Sequence, residues 1–88
     1  MVEIVKCAVT DCQAEIIVQG ATQAEVTDTD TKRLVLNKAA AAGLSRPGIA
    51  STISAYPVDA NGEYDDELMM GKRPVAGFRA DYKVMSAL

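Results

Sequence analysis

Five carboxylates and one carboxamide crowd into nine residues of this chain. Asp59, Asn61, Glu63, Asp65, Asp66 and Glu67 all lie within "DANGEYDDE". Hard oxygen donors at this density are what Ca²⁺ takes, six to eight at a time. A helix–loop–helix calcium loop needs glycine at its sixth position and glutamate at its twelfth. Counted from Asp59, Gly62 is fourth and Met70 is twelfth, so the spacing fails. Asn61-Gly62 instead carries the signature of a tight turn, because both residues take positive φ cheaply. The expectation is a hairpin tip with a solvated acidic rim. Asp59, Glu63, Asp65, Asp66 and Glu67 then form a surface that could meet a basic partner.

Leu68, Met69 and Met70 follow the acids directly. Three successive apolar residues cannot share one face of a strand, so at least one points away from the covered side unless the strand bulges. Methionine is adaptable and common at partner-binding surfaces. Leu68, Met69 and Met70 therefore join the acids as the candidate interaction residues.

Other chemistry is hard to find. The chain contains no histidine, which removes the commonest general acid–base, metal ligand and pH switch. Its two thiols, Cys7 and Cys12, cannot make a four-ligand zinc site without histidine. "GLSRPG" lacks the G-x-S-x-G spacing of a nucleophile elbow, and no phosphate-binding glycine loop is present. Asp65-Asp66 could do acid–base work only in a cleft, which a small sheet-and-helix layer does not readily offer. The reading is a protein that is not an enzyme, with no catalytic residues, no metal site and no cofactor. Nine bases against twelve acids give a net charge of −3, a poor footprint for nucleic acid. Lys32, Arg33, Lys38, Arg46, Lys72 and Arg73 read as an ordinary charged surface.

The elements that must position these residues are legible by period. In "VAGFRADYKVM", Ala76, Phe78, Ala80, Tyr82 and Val84 alternate with polar residues, which predicts a strand from about Val75 to Met85 with one covered face. "EIVKCAVT" and "QAEIIVQ" predict a hairpin around Asp11-Cys12. That loop pairs Val9 with Ala14 and Cys7 with Ile16, puts Val5, Cys7 and Val9 on one face, and sets the two cysteines too far apart for a disulfide. Both are expected to stay reduced, with Cys7 a small buried hydrophobe.

In "TDTDTKRLVLNKAAAAGL", N-cap residues, four alanines and Gly43 predict a helix from about Thr29 to Ala42. A rival pairing of "AEVTD" with "TKRLVL" as a second hairpin is disfavoured by the alanines. "SRPG" breaks the chain at Pro47-Gly48. "IASTISAY" resumes period two, with Ile49, Ile53 and Ala55 on one face, and Pro57 ends that strand. "EYDDELMM" returns as a further strand, and "GKRP" turns into the last one.

The result is an α+β fold. It is a small single-layer antiparallel sheet, in the order β-β-α-β-β-β, with one helix packed on one face. Eighty-eight residues make one domain, 1–88, which buries roughly 60% of its unfolded surface. A partner or second copy would add useful burial. No run nears the roughly 18 apolar residues needed to span a bilayer. "MVEIVKCAVT" is not a secretory signal. No family motif is present. In composition alone, this alanine- and threonine-rich, mildly acidic chain looks like small accessory proteins of phages and mobile elements. The first expectation is a structural or assembly protein acting by self-association or by docking on a protein partner, in the cytoplasm of a host cell or in an assembled virion. The alternative is a small acidic inhibitor that occupies a basic, nucleic-acid-binding site on another protein.

Overall fold

A computed structural model describes residues 2–87, the side chain of Ile53 excepted. The chain runs β1 (Glu3–Val9), β2 (Gln13–Gly20), α1 (Gln23–Thr27), α2 (Thr29–Ala41), β3 (Pro47–Val58), α3 (Asp66–Met69) and β4 (Gly77–Ser86). The four strands form one antiparallel sheet in the order β1-β2-β4-β3. The α+β antiparallel layer expected from the alternation is present, with α2 against one face.

The core sits where the period-two patterns place it. Ala14, Ile16 and Val18 of β2 and Ala80, Tyr82 and Val84 of β4 are buried together with Val26, Val35, Ala39 and Leu44. The register joins Ala14 to Val84, Ile16 to Tyr82 and Val18 to Ala80, so the two central strands present one continuous apolar surface. Ala39, with no side chain beyond Cβ, is the small residue α2 presents to that surface. Asp28 accepts from the Thr31 amide at 2.8 Å and caps α2. At the other end Gly43 takes φ +108° and the Leu44 amide reaches back to the Ala39 carbonyl at 3.0 Å, a turn that suits glycine.

The N-terminal hairpin pairs Val9 with Ala14 and Cys7 with Ile16, in the predicted register. Cys7 packs beside the core and Cys12 is exposed at the tip, both as free thiols. The face expected for Val5, Cys7 and Val9 needs correction. A bulge at Val5 falls between the Ile4–Val18 and Lys6–Ile17 pairs. Its extra residue shifts the alternation, so Ile4 and Cys7 pack on the core while Val5 is left 37% exposed.

Three other expectations are revised. The "AEVTD" segment, a strand only in the disfavoured hairpin reading, lies in the short helix α1 as far as Thr27, with Asp28 as its C-cap. Thr22 accepts from the Glu25 amide at 3.2 Å, and the Glu25 carboxylate accepts from the Ala21 amide at 2.8 Å. This is close to a capping box. Second, β3 neither starts after Pro47 nor stops before Pro57; it contains both prolines. It is an edge strand, where every second N–H points away from the ladder and proline is tolerated. The one-face expectation for Ile49, Ile53 and Ala55 is met by Ile49 and Ala55, which pack on the core; the Ile53 side chain lies outside the described residues.

Third, "EYDDELMM" does not return as a strand. It forms a loop and the single turn α3. Asp65 bonds the Leu68 amide at 3.1 Å, and this cap competes successfully with a sheet ladder.

Candidate functional site

The acidic segment is a braced flap, not a hairpin rim. It leaves β3 at Val58 and rejoins the sheet at Gly77. One Asp59 carboxylate oxygen accepts from the amides of Asn61 and Glu63 at 2.8 and 3.0 Å. The Gly62 amide closes the turn onto the Asp59 carbonyl at 2.9 Å, with Gly62 at φ +80°. The other Asp59 oxygen meets the Arg73 guanidinium at 3.0 Å. Arg73 also pairs with Asp65. Arg73 therefore ties the start of the flap to the N-cap of α3, across sequence separations of 14 and 8 residues. The Glu63 amide, followed by the Asn61 amide and Arg73, holds the Asp59 carboxyl below its ordinary range.

Leu68 is the flap's anchor. It is 3% exposed, and α3 packs against β3. Val58, 0% exposed, lies outside the main core cluster together with Leu68. Pro57 pairs with Phe78, which packs on the main core, while Val58 pairs with Gly77. Alternation therefore turns Val58 to the opposite face of the sheet. The flap thus closes one end of the face that α2 leaves bare.

At that end Tyr56 and Tyr64 meet edge to face, 6.0 Å apart at 88°. Tyr56 donates to Asp81 at 2.7 Å and Tyr64 to Asp66 at 3.2 Å. Burial, then the Asp81 carboxylate, pushes the Tyr56 hydroxyl up to about 12. Burial, then Asp66, raises Tyr64. Arg79 donates to Gln19 at 2.8 Å and lies over the turn, since a Cβ on Gly62 would fall within 2.3 Å of its guanidinium.

The predicted interaction residues therefore separate into three groups. Asp59 and Asp65 are engaged internally by Arg73 and by backbone amides. Leu68, expected as part of an exposed spot, is buried as the anchor; only one of three successive apolar residues in a helical turn can face the sheet. Met69 and Met70 stand out, 62% and 60% exposed, with Glu63, Asp66 and Glu67 also exposed around them in sequence. Among the described residues no three His, Cys, Asp or Glu side chains converge as metal ligands.

A second surface went unnoticed in the sequence. On the bare face, Lys6 stands opposite Ile17 and Ile17 opposite Asp81. In the next row Ala8 stands opposite Glu15, Glu15 opposite Lys83, and Lys83 opposite Ser51. Lys6, Glu15, Ile17, Ser51, Asp81 and Lys83 line a shallow depression of about 280 Å³. The signal that could have found it is the polar half of each alternation: Glu15 and Ile17 in one strand, Asp81 and Lys83 in the other.

No helix among the described residues is long and apolar enough to cross a membrane. Comparison with known proteins finds no family model, curated protein or solved structure that matches this chain.

Proposed function

We propose that this protein is a non-catalytic assembly protein that acts by protein contact, and that the Met69–Met70 knob is its point of contact. One observation carries the reading: a braced loop holds two adjacent methionines in water. Asp59, Asp65 and Arg73 fix the base of the flap, Leu68 pins it to the sheet, and the next two residues are about three-fifths exposed. Holding the knob in advance lowers the ordering cost of binding. Full burial of a methionine is worth roughly 1.5–3 kcal/mol, so an apolar pocket on a partner would gain from both. A small virion component is one setting for such a protein, supported by composition alone.

The acidic-inhibitor reading is the weaker one. Arg73 occupies two of the five carboxylates that a basic partner would use, leaving Glu63, Asp66 and Glu67.

The test is site-specific photo-crosslinking in the organism of origin, with the crosslinker at position 69, at position 70, or at Lys38 on the exposed side of α2. One defined protein adduct from 69 and 70, absent from 38, is expected. Adducts no stronger from the knob than from Lys38 would remove the proposal.

A further inference from the structure

We propose that a second copy of this chain covers the bare face of the sheet, in a two-fold dimer whose central contacts are Glu15 to Lys83 of the second copy and the reciprocal pair. This surface is separate from the methionine knob, and the inference does not depend on it.

Three observations lead here. The first is incompleteness. α1 and α2 cover one face, and the flap covers only the end of the other beside Tyr56 and Arg79. Among the described residues nothing covers the rows from Lys6 to Asp81 and from Ala8 to Ser51: Lys6, Ala8, Glu15, Lys83 and Ser51 are exposed, and Ile17 and Asp81 are partly so.

The second is area. The protein exposes 5445 Å², where a compact 9.3 kDa monomer exposes roughly 5000 Å². The Cα radius of gyration is 13.5 Å, against about 12 Å expected for this length. Four strands at about 4.8 Å spacing, over about seven residues, make an uncovered face of roughly 450 Å². Two such faces bury roughly 900 Å², which is the size of a weak, reversible interface.

The third is charge. The two central rows carry Lys6 and Lys83 against Glu15 and Asp81, so the face is neutral and mixed. A face of one sign would repel its own copy. Here a two-fold axis parallel to the strands, midway between β2 and β4, carries each β2 position onto the β4 position beside it in the same row. Glu15 and Lys83 are such neighbours. Face-to-face stacking therefore sets Glu15 against the other copy's Lys83, twice. The same operation sets Ile17 against Asp81, with the half-exposed Val5 and Met85 toward the margins. Strand addition at the sheet edges is the poorer route to a dimer. β1 carries a bulge, and β3 carries Pro47, Pro57 and two register shifts.

The test uses the symmetry. In Glu15→Lys, both central contacts become lysine against lysine; in Lys83→Glu, both become glutamate against glutamate. Mixed one to one, the two variants restore opposite charges at both contacts. Sedimentation equilibrium at low ionic strength should find the wild type mostly monomeric near 1 μM and mostly dimeric near 1 mM, on the order of a weak interface of this size. Each variant alone should stay monomeric near 1 mM, with dissociation constants raised at least tenfold, and the mixture should dimerise. Ile17→Lys, in the middle of the face and outside the core, carries the same expectation if either charge variant fails to fold. A wild type monomeric throughout, or a dimer that both reversals leave intact, overturns the proposal. So does a mixture that stays monomeric.

Discussion

Tyr82→Phe is the sharpest single perturbation of this fold, because it removes one oxygen and nothing else. Tyr82 sits in the middle of β4, 1% exposed, and donates its hydroxyl to the Val26 carbonyl at 2.6 Å. That bond is the polar link between the central sheet and α1. The phenylalanine ring keeps the packing against Ile16 and the helices. What is lost is one buried hydrogen bond, together with part of the desolvation cost of a carbonyl left behind, about 1.5 kcal/mol in all. For a chain of this length 1 kcal/mol moves the melting temperature by about 4–8 °C. Tyr82→Phe should therefore melt roughly 6–12 °C lower. In urea, with a slope near 1 kcal/mol/M, the midpoint should fall by about 1.5 M with the slope unchanged. The chain has no tryptophan, so far-ultraviolet circular dichroism is the assay. Tyr64→Phe is the control: Tyr64 is 45% exposed, and its loss should leave the midpoint unmoved. Wild-type stability in Tyr82→Phe would refute the docking of α1 on the sheet through this hydroxyl.

Gly62→Ala puts a Cβ at φ +80° and within 2.3 Å of the Arg79 guanidinium. It should cost about 1–2 kcal/mol from backbone strain alone, read as a lower urea midpoint, with Gly71→Ala as a comparison that adds strain without the clash. The Asp59 carboxyl is held below its ordinary 3.8. The stability it contributes is therefore present above pH 3.8 and is lost as pH falls below that value; Asp59→Asn should flatten that limb of a stability–pH profile. At the alkaline end Tyr56 titrates near 12 instead of 10. Its contribution is complete below pH 10 and is lost as pH rises through about 12, so Tyr56→Phe should shrink the alkaline loss between those values.

Strong periods were legible in the sequence, and exceptions to them were not. The alternation from Phe78 to Val84 and the pairing of Cys7 with Ile16 follow from side-chain direction and loop position, and the structure keeps both. Asp28 and Gly43 mark the ends of α2 because caps are chemically specific. The Val5 bulge leaves no compositional trace, since valine suits either face of a strand. Pro57 reads as a strand terminator only if the strand is internal, and β3 is an edge. The flap did carry a signal. Asp65 ahead of Asp66-Glu67, with Gly71 beyond, is an N-cap, an acidic first turn and a C-terminal glycine compressed into seven residues. A strand reading of Leu68-Met69-Met70 had to tolerate a clash of periods that one helical turn resolves. Thr22 and Glu25 likewise spell a capping box. The bare face was hidden for another reason: alternating charges in a strand look the same whether water or a second copy covers them.

The central claim is that successive residues of β2 look into opposite environments, one dry and one open. Paramagnetic relaxation of side-chain methyls by a soluble gadolinium chelate measures this directly, on a sample dilute enough to be monomeric. The account predicts strong enhancement for Ile17 and almost none for Ile16 and Val18 on either side of it. Equal enhancement of all three, or a protected Ile17 between accessible neighbours, would contradict it.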